Sequence, residues 1–190
     1  GKPQLVAVLP EPGHDEKQVL RLAASLEKGS EHPLAEAIVS GAEERGVRLG
    51  SAEEFEAVTG KGVTGRVDGR SVALGNLKLV SDLGLDVAEL TQRANARRDA
   101  GETVMFVVLD GAVAGLVCVA DPVKETTPAA LKSLHDLGFR IIMATGDNER
   151  TAAAVAAQIG IDEIRADVLP EDKARIIREL QAEGRKVAMA

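Results

Sequence analysis

The sequence predicts an α/β protein in two parts, an antiparallel-sheet α+β unit over residues 1–119 and an incomplete, doubly wound parallel α/β unit over 120–190. Three observations predict it. Before Asp121, short alternating stretches are punctuated by Gly60, Gly62, Gly65, Gly69 and Gly75, the pattern of antiparallel strands joined by tight turns. Val104 to Ala120 consists of two apolar, β-rich runs divided by Asp110-Gly111, a type I′ hairpin signal. From Asp121 onward strands alternate with helices, the order of βαβ units.

Each element follows from its own residues. QLVAVL (4–9) reads as a strand closed by Pro10, Pro12 and Gly13. A helix from about Asp15 to Lys28 puts Val19, Leu20, Leu22, Ala23 and Leu26 on its apolar side, and Gly29 ends it. Ser30 is the expected cap of the next helix, EHPLAEAIVSGAEER (31–45), whose Pro33 falls in the first turn, where a missing N–H costs nothing. FEAVTGKGVTGRV (55–67) and SVALGN (71–76) supply sheet, and a polar helix from about Val87 to Ala100 leads into the hairpin. The second part then reads helix (127–138), strand RIIMAT (140–145), helix (149–160), a short DEIRAD segment (162–167), helix (171–184) and strand KVAMA (186–190). RIIMAT and KVAMA are its two clear strands, so this sheet reads as cut short and as the less stable part, with unpaired edges.

The 190 residues carry 23 Lys+Arg against 30 Asp+Glu, a formal net charge of -7, with 45% apolar and 28% charged residues, the make-up of a globular chain. The acidic balance and the lack of a basic run exclude a duplex-binding surface, and no Trp, no Tyr and three Phe remove base-stacking platforms. Nucleic acid is therefore not an expected partner. The single Cys118, in the apolar run GLVCVA, cannot make an internal disulfide or a multi-thiolate metal site, and no metal ligands are expected. No apolar signal segment opens the chain and nothing in it reads as a membrane span, so no direct membrane contact is expected.

Five constellations carry chemistry. At the start of the second helix, Glu31 can accept from an amine such as the exocyclic amino group of adenine, and His32 can stack on a base or donate to a polyphosphate; the plainer reading makes both solvated first-turn residues. Gly60-Lys61-Gly62-Val63 lets backbone approach a ligand closely, or is simply a hairpin turn. Gly75-Asn76 can reach a ribose or phosphate, or cap the following helix. Thr145-Gly146-Asp147, between an apolar strand and a helix, offers a hydroxyl and backbone amides as a phosphate cradle. Lys173, at the opening of another helix, can swing toward the same strand ends and neutralise phosphoryl charge, or is a surface lysine. Asp110, after an apolar strand, superficially matches a nucleophile loop, but the following apolar run favours the hairpin.

Taken in order, SEHPLAEAIV, GKGV, GN, DPVKE, MATGD and LPEDKARII resemble the cytosolic catalytic portion of a heavy-metal-transporting P-type ATPase, over essentially the whole chain. The resemblance implies a nucleotide-binding domain (1–119) followed by part of a haloacid-dehalogenase-like, Rossmann-like phosphorylation domain (120–190). It implies that Glu31 and His32 recognise the adenine end of ATP, that Gly60, Gly62 and Val63 form the close-approach loop, and that Gly75 and Asn76 complete the pocket. Thr145, Gly146 and Asp147 match the family's second phosphate-site motif, Lys173 its phosphoryl-stabilising lysine, and Asp121 and Lys124 a hinge motif. On that reading Gly62→Val weakens ATP binding with the fold intact.

The departures matter equally. The sequence contains neither DKTGT, which carries the family's phosphorylated aspartate, nor the GDGxND carboxylates that hold Mg²⁺; Gly1-Lys2-Pro3 looks like the segment that follows the first and KVAMA like the one that precedes the second. The chain is thus expected to bind ATP or ADP without turnover, with Mg²⁺ arriving on the nucleotide. The transmembrane and actuator domains of a pump are its implied partners, the cytoplasmic side of the cell membrane its location, and copper(I) the implied cargo on overall similarity. Alternatives are a zinc, cadmium or silver pump fragment, a stand-alone nucleotide-sensing or interaction module, and a small-molecule phosphatase, which the missing nucleophile disfavours.

Overall fold

In the computed structural model, which describes residues 2–189, the alternating stretches before Asp121 pair into one sheet. Its strands are β1 (Gln4–Pro10), β2 (Ala52–Val58), β3 (Gly62–Val67), β4 (Arg70–Gly75), β5 (Thr103–Leu109) and β6 (Ala112–Ala120). They lie in the order β1-β6-β5-β4-β3-β2, every neighbouring pair antiparallel. The chain divides into two units, Gly1–Lys124 and Glu125–Ala190, and this sheet belongs to the first.

Helices cover both faces of the sheet. α1 (Glu16–Glu27) and α2 (Pro33–Glu44) lie on one, α3 (Leu77–Asp82) and α4 (Ala88–Arg98) on the other. Strand side chains alternate between the faces with a period of two. Met105, Val107 and Leu109 of β5 join the cluster of Val19, Leu20, Leu26 and Ile38, whereas Val104, Phe106 and Val108 join that of Leu79, Val80, Leu90 and Ala94. With both faces covered, β5 is apolar at every position after Thr103, which explains the near-continuous hydropathy of Val104 to Ala120. No helix among the described residues is long and apolar enough to cross a membrane.

Between Val107 and Val108 the β5–β6 register slips, and the extra residue on β6 is Ala114. A bulge of this kind switches which face the following residues meet. Ala114 and Val117 therefore share the α1–α2 side while Leu116 and Cys118 share the α3–α4 side. The hairpin turn has positive φ at Asp110 (47°) and Gly111 (79°), as a type I′ turn requires. Asp110 accepts from Arg70 Nε at 2.9 Å and from the Ser71 N–H at 3.0 Å, and the Arg70 hydrogen bond holds its carboxyl below the usual carboxylate range. Asp110 is a turn residue.

The second unit contains α5 (Thr127–Asp136), β7 (Ile142–Ala144), α6 (Glu149–Ile159), β8 (Glu163–Arg165) and α7 (Pro170–Ala182). β7 and β8 pair in parallel across the α6 crossover, with Met143 opposite Ile164. The expected strand at KVAMA is not found: residues 186–189 form no strand, and Ala190 lies outside the described residues. DEIRAD supplies the second strand instead. An extended segment becomes a strand only where its backbone groups find a ladder, and Glu163–Arg165 finds one on β7 whereas 186–189 has none among the described residues.

Candidate functional site

The turn between α1 and α2 is organised by a proline. Pro33 restricts the residue before it to extended backbone, and His32 accordingly sits at φ -73°, ψ 139°, the conformation of an N-cap. The cap is His32 rather than the expected Ser30: His32 Nδ1 accepts from the Leu34 N–H at 3.2 Å, while Ser30 Oγ accepts from the His32 N–H at 3.3 Å. Both His32 and Glu31 are exposed.

Sequence reasoning passed over the more unusual carboxylate in this turn. Glu27, the last residue of α1, is 7% exposed, and its Oε2 has no hydrogen-bond partner among the described residues. Burial pushes its carboxyl up from the ordinary value, against a smaller opposing hydrogen bond from Ser30. An acceptor taken out of water and left unmatched is costly, which marks it as a place where a donor belongs. The available signal was positional: Glu27 lies three, four and seven residues after Ala24, Ala23 and Leu20, on an otherwise apolar helix face.

The two glycine motifs meet for a reason internal to the sheet. Gly62 of β3 stands opposite Gly75 of β4. At Gly62, φ is +150° and a Cβ would lie 2.2 Å from the Leu74 carbonyl oxygen; at Gly75 a Cβ would lie 2.3 Å from that of Lys61. The close approach is therefore backbone to backbone, and the expectation that Gly62→Val spares the fold is corrected. Asn76 fastens the pair. Its N–H donates to Lys61 O at 2.8 Å, its Nδ2 donates to Gly60 O at 2.8 Å, and its Oδ1 accepts from the N–H groups of Lys78 and Leu79 to cap α3. Lys61 Nζ pairs with Asp82, and Val63 is buried in the core beneath α1. Leu26 packs on that same sheet face, its Cδ1 2.8 Å from where a Cβ on Gly65 would stand.

In the second unit, the loops after β7 and β8 are laced by three backbone bonds. The Thr145 N–H donates to Arg165 O at 2.9 Å, the Val168 N–H to Thr145 O at 2.9 Å, and the Asp167 N–H to Asp147 O at 2.8 Å. Thr145 Oγ1 donates to Asp147 Oδ2 at 2.9 Å and accepts the Asp147 N–H at 3.1 Å. The hydroxyl is thus engaged within the turn, and exposed Gly146 has open space beside its Cα, the nearest atom to an added Cβ being Val168 O at 3.6 Å. Asn148 caps α6 through Arg150 and Thr151. Lys173, half-buried in the first turn of α7, has no ion-pair partner among the described residues. Asp121 and Lys124 are exposed in the segment after β6, at the end of the first unit.

Two concavities lie elsewhere. One of about 330 Å³ is lined by Asp15, Lys17, Gln18, Arg21, Val47 and Arg48, the other of about 320 Å³ by Glu11, Asp86, Val87, Glu89, Leu90 and Val113. Neither contains a residue of the motifs above. Among the described residues no group of three or more His, Cys, Asp or Glu is placed to hold a metal ion.

Comparison with known proteins converges on one group. A haloacid dehalogenase-like hydrolase family matches residues 1–190. A copper-transporting P-type ATPase of Rhizobium leguminosarum bv. viciae is 60% identical over 190 residues, covering 100% of this chain and 23% of that protein. The chain thus spans about a quarter of the length of that relative. Among solved structures, the catalytic domain of the CPx-ATPase CopB-B, described for its conformational changes upon nucleotide binding, has a TM-score of 0.73 at 25% identity, covering 98% of this chain and 63% of that one. A zinc-transporting PIB-type ATPase has a TM-score of 0.63 at 34% identity, covering 96% of this chain and 29% of that one.

Proposed function

Because this chain belongs to the haloacid dehalogenase-like hydrolase family, along a stretch it shares with copper-transporting P-type ATPases, we propose that it is the ATP-binding part of a copper-exporting pump. Its first unit is the nucleotide-binding domain and its second a portion of the phosphorylation domain. Turnover needs a carboxylate nucleophile. The family's aspartate lies in DKTGT, absent from this sequence, so the chain binds ATP or ADP without hydrolysing it. In the longer protein, membrane and actuator domains convert that binding into metal transport, with Asp121 and Lys124 at the hinge.

The observation that carries the reading is the buried, unpartnered Glu27 Oε2, five residues before His32. An adenine amino group is a donor that matches it, and a nucleoside presenting only an acceptor there leaves it unmatched, which costs specificity. Glu27 thereby takes the adenine-recognising role that the resemblance gives to the exposed Glu31. His32 borders the base or the polyphosphate, and Gly60, Gly62 and Gly75, which add no side chain to the paired Gly60–Val63 and Gly75–Asn76 segments, let the nucleotide come close to backbone there. Mg²⁺ accompanies the nucleotide. Thr145, Gly146, Asp147 and Lys173 serve the transferred phosphoryl group in the complete protein.

Isothermal titration with ATP, ADP, AMP and GTP, with and without Mg²⁺, tests the proposal. Adenine-selective binding that survives without Mg²⁺ and is lost in Glu27→Ala, which leaves no side-chain acceptor, is the expected result. Equal affinity for ATP and GTP, or no binding, would remove it.

A further inference from the structure

The hydrogen-bond pattern at the head of α2 decides which proton His32 carries. Pro33 has no N–H, and the N–H groups of Ala35 and Glu36 both reach the His32 carbonyl, at 2.9 and 3.3 Å. The remaining first-turn donor, the Leu34 N–H, reaches only His32 Nδ1 among the described residues. An N–H group can donate only to a nitrogen lone pair, so Nδ1 carries no proton, and a neutral ring so held is protonated on Nε2. We propose that His32 meets the nucleotide as this neutral ring, presenting an Nε2–H donor, and that protonating it weakens nucleotide binding. The proposal rests on the reading of His32 as a nucleotide contact.

The sign is what makes the inference informative. Attraction between an imidazolium and a polyphosphate predicts tighter binding on acidification. The cap predicts the opposite. In the imidazolium both ring nitrogens are donors, so the Leu34 N–H faces another donor and loses its acceptor. Ser30 Oγ is turned to the His32 N–H and does not take the Leu34 N–H. A positive charge at a helix N-terminus is also opposed by the helix dipole. The ring must swing away from Leu34, taking its Nε2–H with it. The charged groups nearest in sequence are Glu27 and Lys28 from the end of α1, Glu31 next to His32, and Glu36 of α2, which pairs with Lys2 at 2.7 Å. The three carboxylates favour a charged ring but supply no acceptor for the Leu34 N–H.

Two measurements on the full chain test this separately. Long-range ¹H–¹⁵N NMR of the nucleotide-free protein at neutral pH reads the tautomer directly, and a majority of Nδ1–H ring would overturn the proposal. ATP titrations at about pH 7.5 and about pH 5.5, on either side of ordinary imidazole titration, are then compared between wild type and His32→Asn. Asparagine keeps an oxygen acceptor for the cap and does not titrate. Its pH response therefore collects the protonation of ATP itself and of every group other than His32. The wild-type affinity is expected to fall at least about threefold more than that of His32→Asn over this range; an equal or smaller fall, or a rise, would overturn the proposal. If His32→Asn binds ATP as tightly as wild type at pH 7.5, the reading of His32 as a nucleotide contact fails and this proposal with it, while the NMR result still stands for the tautomer.

Discussion

The antiparallel β1–β6 sheet and the parallel β7–β8 pair differ in what covers them. In the first unit Phe106, Val107, Leu116, Val117 and Cys118 have no exposed surface, because helices lie on both faces. In the second, every residue of β7 is half-buried, α5 contributes no buried residue, and Leu137 and Phe139 are 74% and 57% exposed. Fully burying one such side chain is worth about 1.5–3 kcal/mol. Hydrophobic periodicity therefore decides that an element forms and which way it faces; stability depends on whether something lies against that face.

The sharpest way to break this contrast is a matched pair of truncations. Phe106→Ala removes a ring at 0% exposure that Arg98 overlies at 5.8 Å, and the expected cost is about 3–5 kcal/mol in urea unfolding of the first unit. Phe139→Ala, in the second unit, is expected to change stability by less than about 0.5 kcal/mol. Equal costs would erase the distinction. Gly62→Val comes next in size. A Cβ there meets backbone at Leu74 and Gly75, which cannot rotate aside, so a loss of at least about 2 kcal/mol is expected. A normal melting curve with weakened ATP binding would instead restore the glycine to a purely ligand-facing role.

A smaller effect sharpens the comparison by pH. The folded-state carboxyl of Glu27 is raised by burial, so its charge costs stability at neutral pH and the penalty is relieved as pH falls through the raised value toward 4.5, the ordinary value. Asp68 and Asp110 act in the opposite sense. Hydrogen bonds from Arg21 and Arg70 hold them below 3.8, so the stability they add is present above that value and lost as pH falls through their lowered ones. Glu27→Gln is accordingly expected to leave neutral-pH stability unchanged or higher by about 1 kcal/mol or less, and to flatten the mildly acidic part of the stability profile. A markedly destabilised Glu27→Gln would mean that the carboxylate supports the fold and is not held in reserve for a ligand.

How much of this was legible depended on whether the signal was local. The Asp110-Gly111 turn and the apolar face of α1 follow from short patterns, and the structure has them. Missed were features set by partners distant in sequence. KVAMA has a strand's composition but finds no ladder, whereas DEIRAD, charged and unremarkable, finds one on β7. Ser30 looks like the better cap, yet Pro33 gives the extended backbone to His32. Glu31 stands in the motif, but the carboxylate with an unmatched oxygen is Glu27, and that depends on α1 packing against the sheet.

The smallest expected effects concern the second unit's own motif residues. Thr145→Ala removes a hydroxyl that donates to Asp147 Oδ2 and accepts the Asp147 N–H, so the turn after β7 is expected to lose about 0.5–1.5 kcal/mol. Lys173→Ala removes an ammonium with no ion-pair partner among the described residues, and its stability change is expected to stay within about 0.5 kcal/mol. Adenine recognition is assigned to the first unit, so both substitutions should leave ATP affinity within about twofold, since a shift below about 0.4 kcal/mol is all that twofold represents. A tenfold loss in either would show that residues beyond Lys124 hold the nucleotide in this chain, and the two units would have to be treated as one binding site.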